Sequence, residues 1–284
     1  MKSTYLPLKY LLIFFLFFSC SDAEMTIAEE DNEEQSGDDP VNDDDSTDNA
    51  KILVFTKTSG FNHNTKEESV AMVNQIATDL SFDVEVSDNA SIFDDQESVN
   101  NFDVIFFTNT SGNTLNSAQR NVVEAYAAQG GHFISNHAAS DSYGHSTAGT
   151  VNGGGKGEWD WYAEHVTGCS VRNGPNHTAN NFGATVTIQN ENTDLTKMIS
   201  FPWDDNEEWY YWEGGYLNSS FTELLRVSDT GDNSYDDARM TAHYWERPDG
   251  GISFYTSMGH SKNKYSDAEF VQLMKNAFEF ILDR

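Results

Sequence analysis

The chain has 284 residues and a formal net charge of -30 at pH 7, from 46 Asp and Glu against 16 Lys and Arg. Such an excess of negative charge excludes a nucleic-acid binder, whose partner is itself a polyanion. The length allows one large domain or two small ones, and two cysteines are too few for a thiolate-cluster metal site.

Lys2 and Lys9 bracket a basic start, and the apolar run Leu11 to Phe18 that follows is too short to span a bilayer. Ser19-Cys20 ends it. This pattern predicts a lipoprotein signal peptide over residues 1–20, with the acyl chain on Cys20, although Phe17 stands where such signals carry Leu. The alternative is an ordinary signal peptide cut nearby. Both predict export, to the periplasm or the cell surface, with membrane contact only through the anchor. From Asp22 to Asp48 there are thirteen acidic residues and no Lys or Arg. Residues 21–50 therefore read as a disordered, self-repelling tether. An acylated Cys20 leaves Cys169 without a disulfide partner.

Residues 51–284 read as a single α/β domain. "KILVFT" from Lys51 is a strand, and Thr65 to Glu68 matches a capping box ahead of a helix with Val70, Val73, Ile76 and Leu80 on one face. Strands follow at Phe82 to Asp88 and Asp103 to Thr108, then a helix over Ser117 to Gln129 stopped by Gly130-Gly131, then the strand "HFISNH". The order β-α-β-β-α-β predicts a mostly parallel sheet with helices on both faces. Later strands are expected at Thr185 to Gln189, Phe221 to Val227, Met240 to Arg247 and Gly251 to Met258. The last two face each other across the turn sequence "PDGG". A second capping-box match, Ser266 to Glu269, opens a closing helix that buries Phe270, Met274, Ala277 and Ile281.

Ligands of open α/β sheets sit at the carboxyl ends of the strands. There the sequence places His63, His137 with Asp141 four residues on, and His260 with Tyr265. His132 lies at the opposite end of its strand, and His145 and His177 read as solvated loop residues. Two segments are dense in aromatic and acidic residues, "DDNEEWYYW" (Asp204 to Trp212) and "GEWDWYAEH" (Gly157 to His165). Their Trp159, Trp161, Tyr162, Trp209 and Trp212 could stack on sugar rings while carboxylates bind hydroxyls. The alternative for the second is an amphipathic helix burying Trp161. "GGGKG" (Gly153 to Gly157) lacks the hydroxyl residue of a phosphate loop.

Taken in order, "KILVFTKTSGFNHN", "FFTNTSGNTL", "GGHFISNHAASDS", "WDWYAEHVTG", "EEWYYW" and "GGISFYTSMGHS" resemble the motifs of the ThuA-like (trehalose-utilisation) family, over Lys51 to Arg284. The resemblance implies a flavodoxin-like three-layer sandwich similar to class I glutamine amidotransferases. In those enzymes a cysteine nucleophile occupies a tight turn. Here Ser135-Asn136-His137-Ala138-Ala139 stands in that place, so thiol-based amide transfer is not expected. The resemblance further implies sugar catabolism involving 3-keto-disaccharides, with His137, Glu208 and His260 as the polar centre and His63 and Tyr210 beside them. Two departures, Ser135-Asn136 for the usual Gly-Ile and the longer "RNGPNHT" (Arg172 to Thr178), bear on the pocket's shape.

The expected activity is hydrolysis or isomerisation of a keto-glycoside. It would proceed by His/Glu acid-base chemistry, or with a divalent metal such as zinc held by His137, Glu208 and His260. Asp141, Trp159, Trp161, Trp209, Tyr210, Tyr265 and His63 are the expected substrate contacts. The rival expectations are a non-catalytic carbohydrate-binding lipoprotein and an assembly partner with the amidotransferase fold.

Overall fold

The computed structural model describes residues 49–143, 157–171, 176–191, 194–212, 216–232 and 239–284. The expected signal peptide with Cys20, nearly all of the expected tether, His145, Gly153 to Lys156 and Arg172 to Pro175 lie outside the described residues. Those described belong to one compact unit, Thr47–Arg284. Among them no helix is long and apolar enough to cross a membrane.

The first half alternates as its sequence predicts. β1 (Lys51–Phe55) leads through α1 (Lys66–Leu80) to β2 (Asp83–Ser87), and the short α2 (Gln96–Val99) leads to β3 (Val104–Thr108). Then come α3 (Ser117–Ala127) and β4 (His132–Asn136). The second half contains α4 (Asp160–Tyr162), β5 (Phe182–Ile188), β6 (Trp203–Glu207), β7 (Thr222–Val227), β8 (Arg239–Glu246), β9 (Ile252–Thr256) and α5 (Ala268–Leu282). Among the described residues, nine strands form one sheet in the order β2-β1-β3-β4-β9-β8-β7-β5-β6.

This sheet is mixed, which corrects the expectation of a mostly parallel one. The pairs β1–β2, β1–β3, β3–β4 and β4–β9 are parallel, while β8–β9, β7–β8, β5–β7 and β5–β6 are antiparallel. A parallel neighbour needs a crossover, usually helical. The first four strands have such crossovers. From β5 to β9 the described connections contain no α-helix, and β8 turns directly into β9 across Arg247 to Gly251, so those strands run back and forth.

Alternate side chains of the parallel half point to opposite faces, as strand geometry requires. Ile52, Val54, Val104, Phe106 and Ile134 pack with α1 and α5. Leu53, Phe55, Ile105, Phe107 and Phe133 pack with α3. The result is the expected three layers, with the carboxyl ends of β1, β3, β4 and β9 side by side. The helix starts differ in detail from the capping-box matches. Thr65 does not cap α1, because its Oγ1 accepts a hydrogen bond from Asn109 Nδ2 at 2.8 Å. Asp267, not Ser266, caps α5 by accepting from Phe270 N at 3.0 Å.

Candidate metal centre

Four side chains meet where those strands end. His63 comes from the loop after β1 and His137 from the 3-10 turn that follows β4 directly. Glu208 is the residue after β6, and His260 lies four residues beyond β9. Their ligand atoms all lie within 4.8 Å of one another. His137 Nε2 is 3.2 Å from His63 Nε2, 3.3 Å from His260 Nδ1 and 3.3 Å from Glu208 Oε2. Glu208 Oε2 is 3.4 Å from His260 Nδ1 and 3.9 Å from His63 Nε2.

Four of these separations, the three from His137 Nε2 and that between Glu208 and His260, are those of atoms arranged around one centre, with His63 standing further from Glu208. Ligands bonded to zinc at about 2.0–2.1 Å in a tetrahedron are about 3.3 Å apart. Mutual hydrogen bonds do not account for the cluster. His137 Nδ1 donates to the Ser257 carbonyl at 2.6 Å, so Nε2 is the lone-pair nitrogen and can accept only one proton. It nevertheless faces two imidazole nitrogens and a carboxylate oxygen. A cation would satisfy all four at once, and a backbone carbonyl on the far ring nitrogen is the usual way of orienting such a ligand. The group could therefore hold a metal ion.

The backbone is built around this convergence. His137 adopts φ 46°, in the left-handed region that non-glycine residues rarely occupy. Its carbonyl accepts hydrogen bonds from Tyr255 Oη at 3.0 Å and Ser140 Oγ at 3.2 Å, both buried, which hold the turn in place. Glu207 performs the same task on the other side. Its buried carboxylate accepts from the backbone N–H groups of Gly259 (2.9 Å), His260 (3.2 Å) and Glu208 (3.2 Å), tying two of the four ligands to one anchor.

The charge states follow from burial and contact. Burial pulls the His137 imidazole down to about 4 against the pull of Glu208, so it is neutral at ordinary pH, as a ligand must be. For Glu208 burial works upward, but its close contacts with the His137, His260 and His63 rings outweigh it and hold the carboxylate well below its usual range. Burial opposes charge on His260 too, yet the bond to Glu208 prevails and raises it. Glu207 is pushed up to about 7 by burial, with Lys264 acting the other way.

Above the cluster opens a cavity of about 330 Å³. His63, Glu208 and His260 form its polar floor, with Tyr210, Asp141 and Phe61 on the walls. Tyr210 stacks on His137, ring centres 4.7 Å apart and planes 22° apart. His137, Glu208 and His260 thus meet as the resemblance implied, His63 joins them as a full member, and Tyr210 and Asp141 face the cavity.

Four residues expected to bind substrate lie elsewhere. Trp159 and Trp161 stack on each other and pack with Tyr162 on the α3 face, where Trp159 Nε1 donates to Glu124 at 2.6 Å. That is the amphipathic alternative for their segment. Trp209 is in the core, its Nε1 donating to the Phe182 carbonyl at 2.8 Å. The Tyr265 hydroxyl is taken up by Asn109, Asn136 and Gly259. Conversely, His177, read as solvated, lines the cavity with Asn176 and Asn180 and puts Nδ1 3.2 Å from Glu208 Oε1. Its signal was weak: it is the last residue but one of "RNGPNHT", the segment that departs in length from the family pattern. Phe61 was not singled out either, and it is 66% exposed at the cavity mouth.

A sequence profile described as ThuA, trehalose utilisation, matches residues 51–281. The chain belongs to the ThuA family. Solved ThuA-like proteins share its fold. One from Bacteroides uniformis superposes with a TM-score of 0.64 at 18% identity, covering 83% of this chain and 92% of that one. One from Parabacteroides merdae gives 0.58 at 13% identity, covering 83% and 91%. A cytoplasmic protein from Salmonella typhimurium gives 0.55 at 12% identity, covering 81% and 98%. At these identities the likeness is one of fold. No curated protein matches the chain.

Proposed function

We propose that this ThuA-family protein is a metal-assisted enzyme that hydrolyses or isomerises a keto-glycoside. The family's description as trehalose utilisation supports a disaccharide as substrate, and the motif resemblance read from the sequence supplies the 3-keto form. The observation that carries this reading is the convergence of three imidazoles and a carboxylate under an open cavity. His63, His137, Glu208 and His260 would hold a divalent ion, zinc being suited to that donor set. When bound, such an ion supplies a Lewis acid for a ketone oxygen and for the enolate it becomes.

The chain's own residues do the remainder. With four side chains committed to holding the ion, proton transfer falls to a neighbour. Asp141, on the cavity wall, takes the proton from the carbon beside the ketone. The glycosidic C–O bond then breaks, the leaving oxygen takes a proton, and water adds across the double bond, giving net hydrolysis. Returning the proton to a different carbon gives isomerisation instead. Tyr210 and Phe61 offer ring faces to the sugar's apolar side. The non-catalytic sugar-binding reading is weaker, because Trp159 and Trp209, which would serve it, are buried in the protein and Trp161 packs against the same face as Trp159, away from the cavity. Export and tethering through an acylated Cys20 belong to the proposal on the strength of residues 1–50 alone.

The test follows 3-keto-disaccharides and their unoxidised parents by proton NMR, with metal-free and metal-loaded protein and with His137→Ala. Cleavage or isomerisation of the keto-sugars that needs metal and disappears in the variant is the expected result. Wild-type protein that binds these sugars without changing them would replace the enzyme with a binding protein.

A further inference from the structure

His177 holds a position that the proposed reaction does not use, and its surroundings are built. Residues 176–178 pair with 209–211 as a two-stranded bridge: Thr178 N donates to Trp209 O at 2.9 Å, and Tyr211 N donates to Asn176 O at 2.8 Å. Thr178 Oγ1 accepts from Trp209 N at 3.0 Å and closes the pairing from the side. The bridge sets His177 directly opposite Tyr210 and next to Glu208.

The ring's protonation pattern is fixed by what it faces. Nδ1 lies 2.7 Å from the Thr178 carbonyl and 3.2 Å from Glu208 Oε1. Both are acceptors, so Nδ1 carries the hydrogen; it is hydrogen-bonded to the Thr178 carbonyl and stands at ion-pair distance from Glu208 Oε1. The two oxygens of Glu208 thereby have separate tasks. Oε2 faces His137, His260 and His63, whereas Oε1 is engaged by His177. A carboxylate turned so that both oxygens faced the centre would forfeit the His177 contact.

We propose that His177 is a positioning residue that restricts Glu208 to a single ligand oxygen and so leaves room at the centre for a substrate oxygen. The inference rests on the metal reading given above. An open coordination position separates catalytic from closed structural sites, and a second carboxylate oxygen would fill it. Outer partners of this type change metal affinity or activity by about 10- to 100-fold when removed.

The experiment measures zinc binding to the metal-free full chain by calorimetry, and the visible spectrum of the cobalt(II)-loaded protein. Two variants are compared, His177→Ala and His177→Asn. The Asn amide can place an N–H where the imidazole Nδ1–H was. Ala is expected to weaken zinc binding by about 10- to 100-fold and to alter the cobalt spectrum. Asn is expected to bind within a few-fold of wild type and to keep its spectrum. Binding and spectrum unchanged in Ala would overturn the proposal, as would equal loss in Ala and Asn, which marks a steric role. Wild-type protein that binds neither ion would overturn the metal reading itself, a result distinct from either of these.

Discussion

Gly259 shows how tightly single residues set the cluster. Its φ of 121° lies in the region that favours glycine, and a Cβ there would fall against Asn136 Nδ2. That amide cannot retreat freely, because it donates to Met258 O at 3.3 Å and to Tyr265 Oη at 3.0 Å. Any side chain at 259 must therefore move the segment that carries His260. Gly259→Ala is expected to cost about 1–3 kcal/mol, read as a fall of several degrees in melting temperature. It should also weaken metal binding several-fold in the same sample. Normal zinc affinity in the variant would show that the loop's path does not matter to the ligand. At this scale His137 and His260 were legible, since each sits just beyond an expected strand end, whereas Glu208 was reached only through the motif resemblance. His177 was not. Its role depends on pairing with residues 31 positions away, which spacing along the chain does not reveal.

Among the elements, the segment from β6 through Trp212 explains most of what the sequence misjudged. Four consecutive aromatics after two glutamates look like a sugar platform, but composition does not say which way each ring points. The chain here alternates: Glu208 and Tyr210 face the cavity, whereas Trp209 is 1% exposed in the core. Trp209→Ala is accordingly expected to act on stability, costing about 3–5 kcal/mol in urea denaturation. Its effect on ligand affinity should be small wherever the variant remains folded. A large affinity loss with unchanged stability would put the indole back in the site. β1, β3 and β4 were legible because their residues are buried on both faces and helices space them, and the edge strand β2 through its alternating apolar residues. β6 was missed because it is an edge strand of sequence WDDNE whose middle residues face solvent, so its apolar pattern is nearly absent.

Seen whole, the molecule joins a parallel half, whose strand ends supply three of the four ligands, to an antiparallel half that supplies Glu208 and the wall bearing His177. The join between the halves is the β8–β9 pair, and there lies a buried polar residue with no part in the site. His243 on β8 is fully buried, and its Nε2 donates to the Thr167 carbonyl at 2.9 Å. Burial lowers its pKa from 6.5 to about 3, so the folded protein keeps the ring neutral where the unfolded chain would charge it. Between those two values the unfolded state binds more protons. This contribution is therefore fully present above pH 6.5 and is lost as pH falls from 6.5 toward about 3. By about pH 5 the loss is about 2 kcal/mol, a figure set by the unfolded pKa and insensitive to the folded one. His243→Gln can retain a donor to Thr167 but cannot titrate. Urea denaturation at about pH 7 and about pH 5 should show the wild type losing about 2 kcal/mol more than this variant. Parallel losses in the two proteins would mean that the acid sensitivity resides in other groups, the carboxylates and the buried His137 among them, and that protonation of the join does not open the sheet.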